Sequence, residues 1–369
     1  MKAILTLNIG SSTVKASLRD ADIDEDAPIW GSSVDMHDKA EPAITAVIRS
    51  ACETGAEIIA VGHRIVHGGA KFAGPVLIDG SVLSELEALI PLAPGHQPYN
   101  LDGVKIARAA LPDTAQIACF DTAFHRTMPR IERVFALPRR YAEKGVVRYG
   151  FHGLSYAYIA SILPDLLGPA AGDRIIVAHL GSGASLCAMR GGRSAATTMG
   201  FTALDGPPMA TRSGSIDPGV ILYLLQEEAM TPSALSDLLY NKAGLLGVSG
   251  LSGDMRVLLA SDDPRAKEAI DCFAYRVARE IGSLAAAVGG LDTVVFTGGI
   301  GENAAPVRAR ICEHISWLGF SLNMDANAAN AAKALCISTL ASQISVWVVH
   351  TDEEREIARE ARRLIATTH

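Results

Sequence analysis

Leu7-Asn8-Ile9-Gly10-Ser11, running on to Leu18-Arg19, can be laid without a gap on Ala178-His179-Leu180-Gly181-Ser182, running on to Met189-Arg190. Gly10 then meets Gly181, Ser11 meets Ser182 and Arg19 meets Arg190. Each copy reads as a buried strand, a tight Gly/Ser turn and a second strand of mixed polar and apolar residues. Such a hairpin can present the backbone N–H groups of its turn to an anion. One copy in each half of the chain implies two similar domains that address a phosphate chain from two sides.

Around the hairpins, short β-branched runs recur at Ala3–Leu7, Ile58–Gly62, Gln116–Phe120, Arg174–His179, Thr293–Thr297 and Ile344–Val349, and each reads as a buried strand. Helical stretches at Gly80–Leu89, Leu101–Ala110, Pro218–Gln226, Arg265–Val288 and Ala305–Leu318 alternate with them, the pattern of an α/β fold. Loops rich in Pro and Gly punctuate the chain at Pro91–Pro98, Asp205–Pro208 and Gly298–Gly301. A chain of 369 residues is also longer than one hydrophobic core usually supports.

Composition narrows the class. Hydrophobic residues make up 49%, charged residues 20% and aromatics 5%, a globular rather than a disordered profile. The net charge of −7 and a pI near 5.8 argue against a nucleic-acid partner, which calls for a basic face. The six cysteines, Cys52, Cys119, Cys187, Cys272, Cys312 and Cys336, are scattered without CxxC spacing, so neither a disulfide framework nor a zinc site is expected. No apolar run reaches the roughly 18 residues of a membrane span. The opening MKAILTLNIGSS lacks a signal-peptide cleavage site. A cytoplasmic location with no membrane partner is the expectation.

Several residues carry chemistry by type and place. Asn8, Ser11, Thr13 and Lys15 supply an amide, two hydroxyls and an ammonium beside the first turn, which suits a phosphate. Arg64 ends the apolar run Ile58-Ile59-Ala60-Val61 and is flanked by His63 and His67, and strand ends are where α/β sheets bind ligands. Arg212, in a Thr-Arg-Ser-Gly turn, is a second cation whose planar fork matches a carboxylate or phosphate. Asp121 directly follows Gln116–Phe120 and is either an N-cap or a catalytic carboxylate. The string Thr297-Gly298-Gly299-Ile300-Gly301-Glu302-Asn303 follows a strand and precedes a helix containing Val307 and Ile311, which lets backbone approach a nucleotide. It is neither the Walker pattern nor a dinucleotide fingerprint.

Taken with Gly62-His63-Arg64-Ile65-Val66-His67-Gly68-Gly69, Phe120-Asp121-Thr122-Ala123-Phe124-His125, Arg148-Tyr149-Gly150-Phe151-His152-Gly153, Met209-Ala210-Thr211-Arg212-Ser213-Gly214 and Thr351-Asp352-Glu353-Glu354, these strings resemble the acetate kinase family over essentially the whole chain. The resemblance implies an α/β fold of two similar actin-like (ribonuclease H-like) domains, each a mixed sheet flanked by helices, with the active site in the cleft between them. Residues 1–147 with 354–369 would form the domain on the acyl-substrate side, and 148–353 the domain for nucleotide binding and dimerisation.

The implied reaction moves the ATP γ-phosphoryl onto acetate or another short-chain fatty acid, giving acetyl phosphate and ADP. Mg²⁺ is the implied cofactor, with Mn²⁺ an acceptable substitute. Carried over residue by residue, Asn8 and Glu353 serve the metal, Glu353 through water. Ser11, Thr13 and Lys15 lie near the transferred phosphoryl, and Arg64 and Arg212 clamp the carboxylate and phosphoryl. Asp121 orients the attacking carboxylate, while His152 and Arg212 stabilise the transition state. His96, His152 and His179 match three active-site histidines, His179 beside the ATP phosphates. Val66, Gly95, His96, Phe151 and Ala203 line the acyl pocket. Leu180, Gly181, Ser182 and Gly183, with Asp254, Met255, Arg256, Gly299, Ile300, Gly301, Glu302 and Asn303, hold the nucleotide. A homodimer is the family expectation.

Four positions depart from the family pattern. Gly95 replaces a leucine and Ala203 a proline, which removes volume from the acyl pocket and predicts wider tolerance of acyl chains, unless a neighbour such as Tyr99 fills the gap. Ser182 and Asp352 each replace an asparagine. Asp352 either tightens the metal or caps the last helix, and the sequence leaves both open. The competing readings are a propionate or butyrate kinase and, in another class, an actin-like nucleotide switch without a small-molecule acceptor.

Overall fold

The computed structural model describes residues 1–10, 13–25, 27–36, 40–168, 172–329 and 334–368; Ser11 lies outside them. Among the described residues the strands form two six-stranded sheets. The first contains β1 (Lys2–Ile9), β2 (Thr13–Asp20), β3 (Trp30–Asp35), β4 (Glu57–Ile65), β5 (Val76–Leu77) and β6 (Ala115–Phe120), in the order β3-β2-β1-β4-β6-β5. The second contains β7 (Arg174–Leu180), β8 (Ala184–Arg190), β9 (Arg193–Thr197), β10 (Thr293–Thr297), β11 (Ala334–Cys336) and β12 (Ser345–Val349), in the order β11-β12-β10-β7-β8-β9.

The two orders are one topology repeated. In each sheet the first three strands form an antiparallel meander, and the first strand pairs in parallel with the fourth. The fourth pairs in parallel with the sixth, and the fifth closes the edge antiparallel to the sixth. The repeat seen in the sequence is therefore real, with one correction to its alignment. Gly10 N donates to Thr13 O and Gly181 N to Gly183 O, each at 2.9 Å, so the glycines are equivalent. Ile9 pairs with Val14, however, whereas Leu180 pairs with Ala184. The second turn is one residue shorter, and beyond it the equivalent of Arg19 is Met189 rather than Arg190.

The central strands read as unbroken apolar runs because both of their faces are covered. On β1, Ala3, Leu5, Leu7 and Ile9 pack with Ile44, Val47 and Ile48 of the helix Ala40–Cys52. The opposite face presents Ile4, with Ala60, Ile117 and Cys119, to Ile357, Ala358 and Ala361 of the helix Glu353–Thr368. In the second sheet Val177, Ala178, Leu186, Val294 and Phe296 are fully buried. The helix Pro264–Val288 buries Phe273, Val277 and Ile281 along one stripe, starts at Asp263, whose side chain accepts from Arg265 N, and stops at left-handed Gly289.

The chain separates into two compact units, Met1–Arg126 with Phe151–Tyr158 and Asp352–His369, and Thr127–Gly150 with Ile159–Thr351. Residues 127–147, which the sequence assigns to the first domain, group with the second, and residues 151–158 and 352–353, which it assigns to the second, group with the first. Hydrogen bonds explain the former: Thr127 Oγ1 donates to Ser194 O, Arg148 Nη1 to the carbonyls of Thr198 and Met199, and Tyr149 N to Gly200 O. No helix among the described residues is long and apolar enough to cross a membrane.

Candidate active site

In the first unit, parallel strands β4 and β6 bring their ends side by side, with Ile65 opposite Phe120. Arg64 and Asp121 meet there. Arg64 Nη2 and Nε donate to Asp121 Oδ2 at 2.7 and 3.1 Å, and Nη1 donates to Asn8 Oδ1 at 3.1 Å. Asp121 is 1% exposed. Burial pushes its carboxyl upward from the ordinary aspartate range, against the opposing pull of Arg64. Burial would lower Arg64, but Asp121, Glu353 and Glu354 outweigh it and hold the guanidinium protonated. Asp121 Oδ1 has no partner at hydrogen-bonding distance among the described residues, the Leu154 amide acting on the carboxylate as a nearby dipole.

The surrounding backbone is fixed by buried amides. Gln97 Oε1 accepts from His67 N, Asn100 Oδ1 accepts from Val66 N, and Asn100 Nδ2 donates to Ile9 O at 2.7 Å, so the helix Gln97–Ala110 holds both the Val66 loop and the end of β1. His63 and His67 are buried and drawn down to about 4, so both are neutral at pH 7, and neither offers a charge to a ligand. His96 stands at the start of that same helix, half-buried. His152 adopts φ 58°, a left-handed conformation rare for a side-chain-bearing residue and typical of positions fixed by their surroundings. Those surroundings are its neighbours: His125 Nε2 donates to Phe151 O, and Gly153 N to Asp121 O, each at 2.9 Å.

Acidic groups complete this half. Asn8 Nδ2 donates to Glu353 Oε2 at 2.8 Å and to Glu354 Oε1 at 2.9 Å, bridging adjacent carboxylates in the first turn of the last helix. Burial and Glu353 raise the Glu354 carboxyl, with Lys15 and Asn8 acting against the rise. Three carboxylates, Asp121, Glu353 and Glu354, thus stand against Arg64 and Lys15, and one buried carboxylate oxygen lacks a partner. This surplus of oxygen donors fits a hard divalent cation such as Mg²⁺. Asp352, left open by the sequence, caps the helix: Oδ1 accepts from Arg355 N at 2.8 Å, and Oδ2 pairs with Arg19 at 2.6 Å.

Gly95 is exposed, and an added Cβ there would meet no atom within 4 Å, Tyr99 included, so nothing crowds the first carbon of a side chain at this position. Val66 and Phe151 are buried in the same unit.

The second unit has its own concavity, about 690 Å³, whose walls include Gly181, Ser182, Asp254, Met255, Arg256, Gly299, Ile300 and Asn303. Its volume lies in the range of small-molecule sites. Asp254 caps the short helix Met255–Leu259 and pairs with Arg256 at 2.6 Å. Ser182 is exposed on the wall, whereas Leu180, Gly183 and Gly301 are buried outside it. Glu302 is turned away toward backbone amides. The Gly298–Asn303 stretch, expected as a loop, is a six-residue helix. His179 is the penultimate residue of β7, at 8% exposure. Arg212 Nη1 donates to Ala203 O at 3.1 Å, which brings together two residues that the sequence singled out, and Thr211 Oγ1 anchors the same turn to Tyr240 O.

Sequence reasoning passed over Glu354, whose only signal was adjacency to Glu353, and the walls Thr211, Gly253, Leu259 and Pro306, which show no pattern before folding. It also missed Gln97 and Asn100, polar residues on an otherwise core-facing helix stripe.

The sequence model of the acetokinase family matches residues 32–359. The acetate kinase of Rhodopseudomonas palustris (strain TIE-1) is 58% identical over 306 residues, covering 83% of this chain and 77% of that protein. The crystal structure of Porphyromonas gingivalis acetate kinase superposes with a TM-score of 0.85 at 35% identity, covering 99% of this chain and 100% of that one. A propionate kinase from Francisella tularensis superposes with a TM-score of 0.88 at 34% identity, covering 98% and 99%. The repeated sheet topology, the Arg64–Asp121 pair and these matches have one conclusion: the chain belongs to the acetokinase family.

Proposed function

We propose that the protein catalyses reversible transfer of the ATP γ-phosphoryl to acetate, forming acetyl phosphate and ADP. The observation that carries this reading is the Arg64–Asp121 pair, an anion clamp held charged by a buried carboxylate at paired strand ends. A nucleotide switch would have no use for it. Acetate at pH 7 has already lost its proton, so no general base is needed. A carboxylate oxygen bound by Arg64 and Arg212 attacks the γ-phosphorus in line, the new P–O bond forms as the β,γ-bridging bond breaks, and ADP departs with the electron pair. Asp121 keeps the Arg64 fork oriented. His152 and Arg212 donate to the equatorial oxygens as charge spreads over them. Asn8, and Glu353 through water, would hold Mg²⁺, which would supply charge neutralisation for the phosphates.

In this reading the first unit takes the acyl substrate, with Val66, Gly95, His96 and Phe151 around its methyl end, and Ala203 is the further position at which acyl volume is removed. The second takes the nucleotide, with His179, Gly181 and Ser182 toward the phosphates and Asp254–Arg256, Gly299, Ile300 and Asn303 toward the adenosine. Lys15 lies toward the transferred phosphoryl. Free thiols at all six cysteines agree with a cytoplasmic setting.

The test is hydroxamate trapping of acyl phosphate from Mg²⁺-ATP with acetate, propionate and butyrate in parallel, with Arg212→Ala as control. Acyl phosphate from acetate, lost in the control, is the expected result; its absence from folded, ATP-binding protein defeats the reading. The wider acyl range rests on the volume that Gly95 and Ala203 remove. The propionate/acetate ratio of kcat/KM should exceed about 0.01 and should fall by about tenfold in Gly95→Leu, since each buried methylene is worth ~1–3 kcal/mol of discrimination. A ratio unmoved by Gly95→Leu places the acyl chain elsewhere.

A homodimer is the accompanying proposal. The helix Pro218–Gln226, PGVILYLLQ, has no buried residue, and Leu222 and Tyr223 are 54% and 53% exposed. A stripe this apolar on a chain of net charge −7 calls for an equally apolar cover, and a second copy presents it by symmetry. Light scattering should give twice the chain mass, falling to one in Leu222→Asp; a monomeric wild type defeats it.

A further inference from the structure

The helix Gly298–Asn303 supplies Gly299, Ile300 and Asn303 to the walls of the second unit's cavity. Six residues are too few for a helix to hold itself in water. Two charged side chains hold its ends instead. Glu302 reaches back to the start of the turn, where its Oε1 accepts from Gly298 N at 2.9 Å, Thr351 N at 3.1 Å and the Thr297 hydroxyl at 3.3 Å. Arg308, 2% exposed, donates from Nη1 to Gly301 O and Glu302 O, both at 2.9 Å, and from Nε to Asn327 Oδ1 at 2.8 Å. Gly298 has φ 77°, and a Cβ there would lie 2.9 Å from Leu180 O, so the turn has little freedom to re-form another way.

We propose that Glu302 is a positioning residue, whose single oxygen latches the glycine turn to the Thr351 amide and thereby shapes the nucleotide wall without touching the nucleotide. The proposal rests on the nucleotide reading of that cavity. Glu302 is absent from the cavity walls although residues on both sides of it, Ile300 and Asn303, are present. Its second oxygen points elsewhere, 3.6 Å from His350 Nδ1.

Three donors converging on one oxygen require an acceptor at the correct reach, and they do not require a full negative charge. Glutamine keeps the acceptor and the reach; aspartate keeps the charge but is one methylene short. A nucleotide or metal ligand would rank these substitutions the other way. The experiment is calorimetric titration of the full chain with ADP, together with KM for ATP and for acetate, in Glu302→Gln, Glu302→Asp and Glu302→Ala.

Glu302→Gln should bind ADP within about twofold of wild type, while Glu302→Asp and Glu302→Ala bind about tenfold more weakly, the scale of losing a shared buried acceptor. KM for ATP should rise in the latter two, with KM for acetate moving less than about twofold, a split that general loosening of the fold would not give. Wild-type affinity in Glu302→Ala, or Glu302→Asp binding better than Glu302→Gln, overturns the latch. If Glu302→Ala does not fold, the Gln-over-Asp order still decides. A wild type that binds no ADP overturns the nucleotide reading itself, and the latch with it.

Discussion

Arg64→Ala is expected to lose about three orders of magnitude or more in kcat/KM for acyl phosphate formation, the scale seen when an arginine that stabilises phosphoryl transfer is removed. It should also lose stability by ~3–5 kcal/mol, because Asp121 would remain buried at 1% exposure without its partner. The two losses separate in Arg64→Lys, which restores a charge but not the two-nitrogen fork that Asp121 Oδ2 accepts from. That variant should recover most of the stability and little of the rate. The stability loss also has a sign in pH. Burial already raises Asp121, and without Arg64 only the Leu154 amide opposes it while Glu353 adds to the rise, so the folded variant holds the proton more tightly than the unfolded chain. Its stability is then greatest below the ordinary aspartate range and declines as pH rises through the raised value. The gap in Tm between wild type and Arg64→Ala should therefore widen from acid to neutral pH. A gap independent of pH, or kcat/KM within tenfold of wild type, would show that the pair is not the clamp.

The second large effect is expected at Gly153→Ala. A Cβ there would fall 2.0 Å from the carbonyl oxygen of Asp121 and 3.0 Å from Phe124 Cβ. Backbone has to move, which places the cost at the upper end of the ~1–3 kcal/mol usual for overpacking. The same movement displaces Asp121 and the strained His152 together, since Gly153 N donates to Asp121 O. Activity should fall at least about tenfold even in protein that folds. Gly80→Ala is the control: it sits at the start of the helix Gly80–Glu87 with no atom within 4 Å of the added carbon, and it should be neutral or slightly stabilising. Equal behaviour of the two variants would mean that the Asp121 turn tolerates displacement.

How far the chain could be read in advance depended on burial. The parallel strands β1, β4, β6, β7, β10 and β12 are covered on both faces, which forces uninterrupted apolar runs, and all six were legible. The edge strands β3, β5, β9 and β11 carry no such run. Trp30–Asp35 alternates intermediate and exposed residues, and Val76–Leu77 is only two residues long. The helix Gly153–Leu167 was missed because its apolar character runs nearly all round and Pro164 interrupts it.

The sequence by itself determined the doubled α/β fold, the strand-end placement of Arg64 and Asp121, and the glycine strings of the second half, because periodicity and turn chemistry are local properties. Only the tertiary structure decided which charges meet. Arg64 finds Asp121 at a separation of 57 residues, and Arg19 finds Asp352 at 333. Such pairings depend on strand register and helix docking. The same dependence turned Asp352 into a helix cap, brought Glu354 in beside Asn8, and faced Glu302 toward backbone amides. Each of these side chains had more than one chemically reasonable role, and the partner that long-range packing placed within reach selected it.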